Sequence, residues 1–247
     1  MDLPPAIDIA LVVAGAVAAG FVNGLTGMGY ALAALGFWLH AMSPLTAAPL
    51  VAVCAVAGHI QSLPSIWHNE RWPKLWPFLA AGLIGVPLGT LLLKHVQVQP
   101  LKLGVGFVLI FYCSWTAFVR RPPIVYAGGR GADAAIGLLG GVLGGMASLS
   151  GPAPAIWVQL RGWTKADQRG VNQPFNMVIL TTALISAAIA GLLDRTFLLW
   201  TAIALPSTLI GARIGMMLYG KVDDLQFRRI VLILLALSGV TLIVSGL

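Results

Sequence analysis

One apolar run is interrupted in its middle, and a second is interrupted in the same manner about half the chain later. No other feature constrains this sequence as much. From Ile7 to Leu39 no charge follows Asp8, yet Gly24-Leu25-Thr26-Gly27-Met28-Gly29 breaks the run. From Ala134 to Leu160 the break is Gly144-Gly145-Met146-Ala147-Ser148-Leu149-Ser150-Gly151-Pro152. Backbone freed from a helix inside lipid costs several kcal/mol per unsatisfied group, so such breaks persist only where protein or a water-filled cavity covers them. Paired broken helices in two halves are the pattern of a transporter's substrate site.

With 247 residues, 58% hydrophobic and only 9% charged, the chain has more apolar surface than one soluble core can hide. This composition is that of an all-α polytopic membrane protein. The start, Met1 to Asp8, carries no basic residue, so the first apolar stretch is expected to stay in place rather than serve as a cleaved signal. The net charge of +7 comes from basic residues scattered between apolar spans. That scatter reads as topology signals, not as a nucleic-acid surface. Cys54 and Cys113 both lie in apolar runs, without metal-ligand or disulfide spacing. They read as buried packing residues, with a sulfur-handling thiol at Cys54 as the alternative.

Six continuous helices are expected beside the broken segments: Leu45 to Trp67, Leu75 to Leu93, Leu101 to Val119, Val171 to Leu193, Phe197 to Tyr219 and Phe227 to Gly246. Each is close to the roughly 20 residues that cross a bilayer. As one straight helix, Ile7 to Leu39 would reach about 50 Å, far beyond a hydrocarbon core of about 30 Å, so two half-helices meeting at the break fit better. Ile84-Gly85-Val86-Pro87-Leu88-Gly89 also aligns with Ile210-Gly211-Ala212-Arg213-Ile214-Gly215. Gly-x-x-x-Gly alone is common in membrane helices. Combined with the duplicated break, it points to two homologous halves, 1–121 and 133–247, joined by a cytoplasmic linker over 122–132.

Cytoplasmic loops are enriched in Lys and Arg. If the second broken segment enters and leaves on one side, Arg71, Lys74, Arg120, Arg121, Arg130, Arg161, Lys165, Arg169, Lys221, Arg228 and Arg229 share a face, against Lys94, Lys102 and Arg195. A full crossing blurs that asymmetry. The re-entrant arrangement is therefore expected, with the basic face in the cytoplasm. Extended by internal resemblance to the first segment, it makes each half one re-entrant helix plus three crossings, and the halves inverted repeats.

The glycine-rich Gly20-Phe21-Val22-Asn23-Gly24-Leu25-Thr26-Gly27-Met28-Gly29, then Ser43-Pro44-Leu45-Thr46-Ala47-Ala48 and the Ile84 to Gly89 pair, recur as Gly140-Gly141-Val142-Leu143-Gly144-Gly145, a Ser-Gly-Pro break, and Gly211 with Gly215. In these features the chain resembles the TauE/SafE family of membrane proteins, named for sulfite export, across nearly its whole length. The resemblance implies transport of small, mostly sulfur-containing anions, such as sulfite and sulfoacetate, across the bacterial inner membrane. Ala147 and Ser148 stand where that family's run of glycines is usually fuller.

A helix broken inside the bilayer presents unpaired N–H groups and a positive dipole end, which favour an anion. Half-helices starting near Gly27 and Gly151 would face each other near the midplane, lined by Asn23, Thr26, Gly27, Ser148, Ser150 and Gly151. Each hydroxyl or amide has a plainer role available, satisfying the freed backbone. The polar turn Asn172-Gln173-Pro174-Phe175-Asn176 would leave Asn172 at the interface and Asn176 deeper; His59, Gln61 and Ser62 form a comparable cluster. Polar groups in a bundle line a path or tie helices together. Arg213 stands within a span, about 9 Å from the end at Tyr219, free either to snorkel outward or to attract an anion.

None of the eight carboxylates is expected at mid-membrane, which leaves His59 as the titrating group for any proton coupling. The expected partners are a small anion and the lipid bilayer, with self-association open; no cofactor, metal or nucleic acid is implied. An anion channel would use the same lining. An intramembrane enzyme would need a Ser150–His59 dyad, for which no orienting acid is in reach.

Overall fold

The computed structural model describes residues 5–38, 40–62, 72–92, 98–118, 124–189, 191, 193–244 and 246. Among them the chain forms ten α-helices: α1 (Ala6–Thr26), α2 (Tyr30–Trp38), α3 (Pro44–Ser62), α4 (Trp72–Leu92), α5 (Val98–Phe118), α6 (Gly129–Ala147), α7 (Pro152–Leu160), α8 (Lys165–Ile189), α9 (Arg195–Tyr219) and α10 (Asp224–Val244). Three helices, Ala6–Thr26, Trp72–Leu91 and Arg195–Tyr219, are long and apolar enough to cross a membrane. Large apolar side chains such as Ile84 and Leu88 on α4, Phe107 and Phe111 on α5, and Ile210 and Met217 on α9 face outward. A surface of that kind belongs against lipid.

The ends expected at Leu39, Trp67, Leu93 and Val119, and the basic residues Arg71, Lys94, Arg120 and Arg121, lie outside the described residues. Helix α8 starts at Lys165, six residues before the expected Val171, because Thr164 caps it. Its Oγ1 accepts the Asp167 N–H at 3.2 Å and its carbonyl accepts the Gln168 N–H. Side-chain capping of orphan N–H groups lets a helix begin in a polar stretch. Asp194 does the same for α9, and Asp223 with Gln226 forms a reciprocal cap on α10. Helix α6 begins at Gly129, inside the stretch read as linker.

The broken segments are unequal hairpins. Helix α1 alone, at 21 residues, is about 31 Å long, enough to cross the hydrocarbon core unaided. The nine residues of α2 turn back along it, and Trp38 Nε1 donates to Val12 O at 3.1 Å. Two half-helices meeting at the break were expected; a long arm and a short antiparallel return are found. The turn follows from left-handed backbone: Gly27 at φ 73° caps α1 by donating to Asn23 O, and Gly29 has φ 81°. Ser148 plays the same part after α6, at φ 56°, with its N–H on Gly144 O at 2.9 Å. Helix α7 returns along α6, with Trp157 Nε1 donating to Asp133 Oδ1 at 2.7 Å. Val125 N–H bonds Leu160 O, so the chain leading into α6 lies beside the end of α7.

A Cβ at Gly27 would lie 3.1 Å from both Arg169 Cγ and Gln173 Cβ, and an L residue is strained at that φ. Gly27→Ala is therefore expected to cost about 1–2 kcal/mol, the penalty of a side chain in left-handed backbone. Gly104→Ala, where a Cβ meets nothing within 4 Å, should leave the thermal unfolding midpoint of the detergent-purified protein unmoved.

Helices from early and late in the chain interlock. Along α1 and α9, Gly20 and Gly24 meet the carbonyls of Thr208 and Ala212, while Gly211 and Gly215 meet those of Val17 and Phe21. Residue numbers rise together, so these helices run parallel. Along α4 and α6, Gly141 and Gly145 meet Gly82 and Val86, and Gly85 and Gly89 meet Leu138 and Val142, again in parallel. Small residues permit this approach of backbones. Helices α5 and α10 instead run antiparallel, with Gly106 beside Gly239 and Leu103 beside Gly246. Helices α3 and α8 also meet, Ser62 near the end of one against Gln173 near the start of the other.

Candidate functional site

The tips of the two hairpins touch in the interior. A Cβ on Gly151 would come 3.7 Å from Met28 Cβ and 3.5 Å from Asn176 Nδ2. Around this meeting point lies a narrow cleft with about 20 Å³ of free space, room for a water-sized group, so a larger solute enters only as the tips part. Its walls come from Asn23 on α1, from the start of α2, from His59 on α3, from both sides of the second break, and from Asn176 and Leu180 on α8.

Six of the ten candidate residues line this cleft: Asn23, His59, Ser148, Ser150, Gly151 and Asn176. Asn23 is fully buried; its amide donates to Ala55 O at 3.4 Å, and Oδ1 has no partner. His59 is 1% exposed, with Nδ1 unpartnered. Such orphaned buried atoms are costly, and a bound solute or ordered water is what would satisfy them. Ser150 Oγ donates to Asn176 Oδ1 at 2.7 Å. That proton is thus directed away from His59, and the Ser–His dyad of an enzyme is not formed. Ser148 Oγ donates to Ala48 O at 3.2 Å, tying the second tip to α3.

Four candidates stand elsewhere. Thr26 serves the broken backbone: its hydroxyl lies 2.9 Å from both Val22 O and Met28 O, and it accepts the Met28 N–H. Gly27 is the end cap of α1 and packs on Arg169 and Gln173, whereas the next helix starts only at Tyr30. Gln61 is half-buried with its Oε1 unpartnered, away from the cleft. Arg213 is exposed on the outer side of α9, because its neighbours Ala212 and Gly215 occupy the face against α1. The two cysteines are free and buried, and Cys113 Sγ contacts Leu232 O.

The hairpin tips differ as anion donors. The N–H groups of Tyr30, Ala31 and Leu32 open α2 without a carbonyl one turn back, and all three residues line the cleft. Helix α7 opens with Pro152 and Pro154, which have no N–H, so of its first three residues only Ala153 keeps a donor. Side chains of Ser150 and Asn176 stand where those amides are missing. Among the described residues no carboxylate lines the cleft.

Sequence reasoning missed the polar layer beside the cleft. Arg169, counted among loop cations, is 1% exposed; its Nε donates to Gln173 Oε1 at 3.0 Å and its guanidinium sits 4.1 Å from the Tyr219 ring centre. Gln173 Nε2 in turn donates to Ser62 Oγ at 2.5 Å and His59 O at 3.3 Å. Asn172, placed at the interface by its position in sequence, is buried, with its amide 3.7 Å from Met28 Sδ. Tyr30 and Thr208 share a 2.6 Å hydrogen bond that locks α2 to α9. The signal that could have found this layer is the cap formed by Thr164 with Asp167, a Ser/Thr-x-x-Asp/Glu start that puts residues 169 to 176 inside the helix.

The chain matches the profile of the sulfite exporter TauE/SafE family over residues 12–242. Among curated proteins it is similar to the probable sulfite/organosulfonate exporter TauE of Cupriavidus necator. The two are 24% identical over 196 residues, which cover 77% of this chain and 76% of that protein. No solved structure matches it.

Proposed function

The chain belongs to the sulfite exporter TauE/SafE family and is a membrane transporter, and from that premise we propose that it moves small sulfur-containing anions, sulfite or a short organosulfonate, through the cleft between its two hairpin tips. The observation that carries this reading is the cleft itself. It lies at the start of α2 and is lined by Asn23 and His59, each with an unpartnered buried side-chain atom, beside Ser150 and Asn176, with no lining carboxylate among the described residues. The donors it can offer to a sulfite or sulfonate oxygen are the N–H groups at the start of α2 and Asn176 Nδ2, since Asn23 Oδ1 only accepts and the Ser150 hydroxyl already donates to Asn176 Oδ1.

The two halves, 1–121 and 133–247, act as inverted repeats whose hairpins enter from opposite faces. Antiparallel α5 and α10, the contact of the end of α3 with α8, and the matching glycine contacts of α1–α9 and α4–α6 support this. Transporters built this way hold substrate where the repeats meet. The cytoplasmic side is the one bearing Lys74, Arg161 and Lys165, which gather around Trp163 and Tyr219; Lys74 also pairs with Asp167 at 3.1 Å. The proposed location is the bacterial inner membrane.

Reconstitution in liposomes with radiolabelled sulfite tests the proposal. Wild type should show saturable flux accelerated by unlabelled sulfite on the far side, as a carrier does and a channel does not. Ser150→Ala removes the donor to Asn176 and should lower flux about tenfold, in keeping with roughly 1–1.5 kcal/mol for one buried hydrogen bond. Wild-type protein without sulfite or sulfoacetate flux above empty liposomes refutes the reading.

A further inference from the structure

We propose that Arg169 is the latch of a gate on the basic side of the cleft, where its guanidinium releases Gln173 to pass an oxyanion between that end of the bundle and the cleft. The inference rests on the anion-transport reading above. Between the cleft and the end that carries Lys74, Arg161 and Lys165 stands a bonded layer. It runs from the Tyr219 ring through Arg169, Gln173 and Ser62 to His59, whose side chain also lines the cleft. All four polar members are buried. Toward the opposite end the cleft is closed by the apolar residues Leu180, Leu149 and Leu32, which join the main hydrophobic core. An anion therefore finds a polar barrier on one side and an oily one on the other.

The chemistry of the layer suits a latch. Gln173 Oε1 is a neutral acceptor, and a hydrogen bond from a guanidinium to a charged oxygen is roughly twice as strong as one between neutral groups. A sulfite or sulfonate that pairs bidentately with the Nε and Nη of Arg169 displaces Gln173, which holds only Nε. The freed glutamine carries with it its bonds to Ser62 and to the His59 carbonyl, so opening the layer and disturbing the cleft wall are one event. The tip of the first hairpin is coupled to the same event, because Gly27 rests against Arg169 Cγ and Gln173 Cβ, each 3.1 Å from where its Cβ would be. Buried arginine is costly to maintain in a core, and it persists where its charge has a use.

The experiment compares full-length wild type, Arg169→Gln and Gln173→Glu. It measures radiolabelled sulfite flux in liposomes and equilibrium sulfite binding to the detergent-purified protein by calorimetry. Gln173→Glu is isosteric and replaces the neutral acceptor with a fixed carboxylate that competes with the anion. Its flux should fall at least tenfold while the sulfite dissociation constant stays within threefold of wild type. Arg169→Gln should show the same split; if that variant does not fold, Gln173→Glu decides alone. Wild-type flux in Gln173→Glu overturns the latch and leaves the transport reading intact. Loss of binding together with flux also overturns it, by making Arg169 part of the cleft. Wild type that neither binds nor moves sulfite removes the transport reading itself, and the latch with it.

Discussion

Replacing Asn176 with aspartate is expected to lower sulfite transport about a thousandfold without unfolding the protein. The side chain lines the cleft, is 3% exposed and accepts the Ser150 hydroxyl at 2.7 Å, a bond that a carboxylate of the same shape keeps. What changes is charge. Two like charges about 4 Å apart repel by about 4 kcal/mol at the effective dielectric of a partly buried site, which is roughly three decades in affinity. Asn176→Leu removes hydrogen bonding but adds no charge, so it should fall far less, by roughly tenfold to a hundredfold. Flux assays on both variants, with elution volume and thermal midpoint as fold controls, separate the two effects. If Asn176→Asp transports sulfite as well as Asn176→Leu, the anion does not pass this residue.

Valine at Gly24 or at Gly141 is expected to cost about 3 kcal/mol, the upper end of overpacking penalties, and to lower the thermal midpoint by about 10 °C. A Cβ at Gly24 would collide with the Ala212 carbonyl oxygen, and one at Gly141 with that of Gly82. Neither obstacle is a side chain that can rotate away, so α1 must separate from α9, or α6 from α4. Both contacts sit in the parallel pairs α1–α9 and α4–α6, and equal losses at the two positions are expected from their matching geometry. Gly104→Val, on a side of α5 where a Cβ meets nothing within 4 Å, provides the comparison. Unfolding curves for Gly24→Val and Gly141→Val that superpose on wild type would refute this account of the packing.

Much of the architecture was legible in the sequence because it depends on local properties. Hydropathy marked the described ends of the continuous helices to within a few residues, except at α8, which starts six residues early. The glycines at 27 and 29 marked a turn, because they alone adopt left-handed backbone without strain. Ser148 was the harder case, since only its place in the second break suggested that a non-glycine residue would take that conformation. The polar stretch from Lys165 to Asn172 was misjudged as loop and interface because its low hydropathy outweighed the capping signal at Thr164. Tertiary contacts from α3, α9 and the first hairpin tip bury it instead.

By itself, the sequence determined a helical membrane protein with two broken segments and a family resemblance, since composition and backbone permissiveness act residue by residue. Tertiary structure alone decided that the breaks are hairpins whose tips meet, that Asn23, His59, Ser150 and Asn176 share one cleft while Thr26, Gln61 and Arg213 do not, and that Arg169 is buried. The physical reason is separation along the chain. Met28 with Gly151, Gln173 with Ser62 and Tyr30 with Thr208 lie more than 100 residues apart, and only packing of whole helices brings such partners within bonding distance.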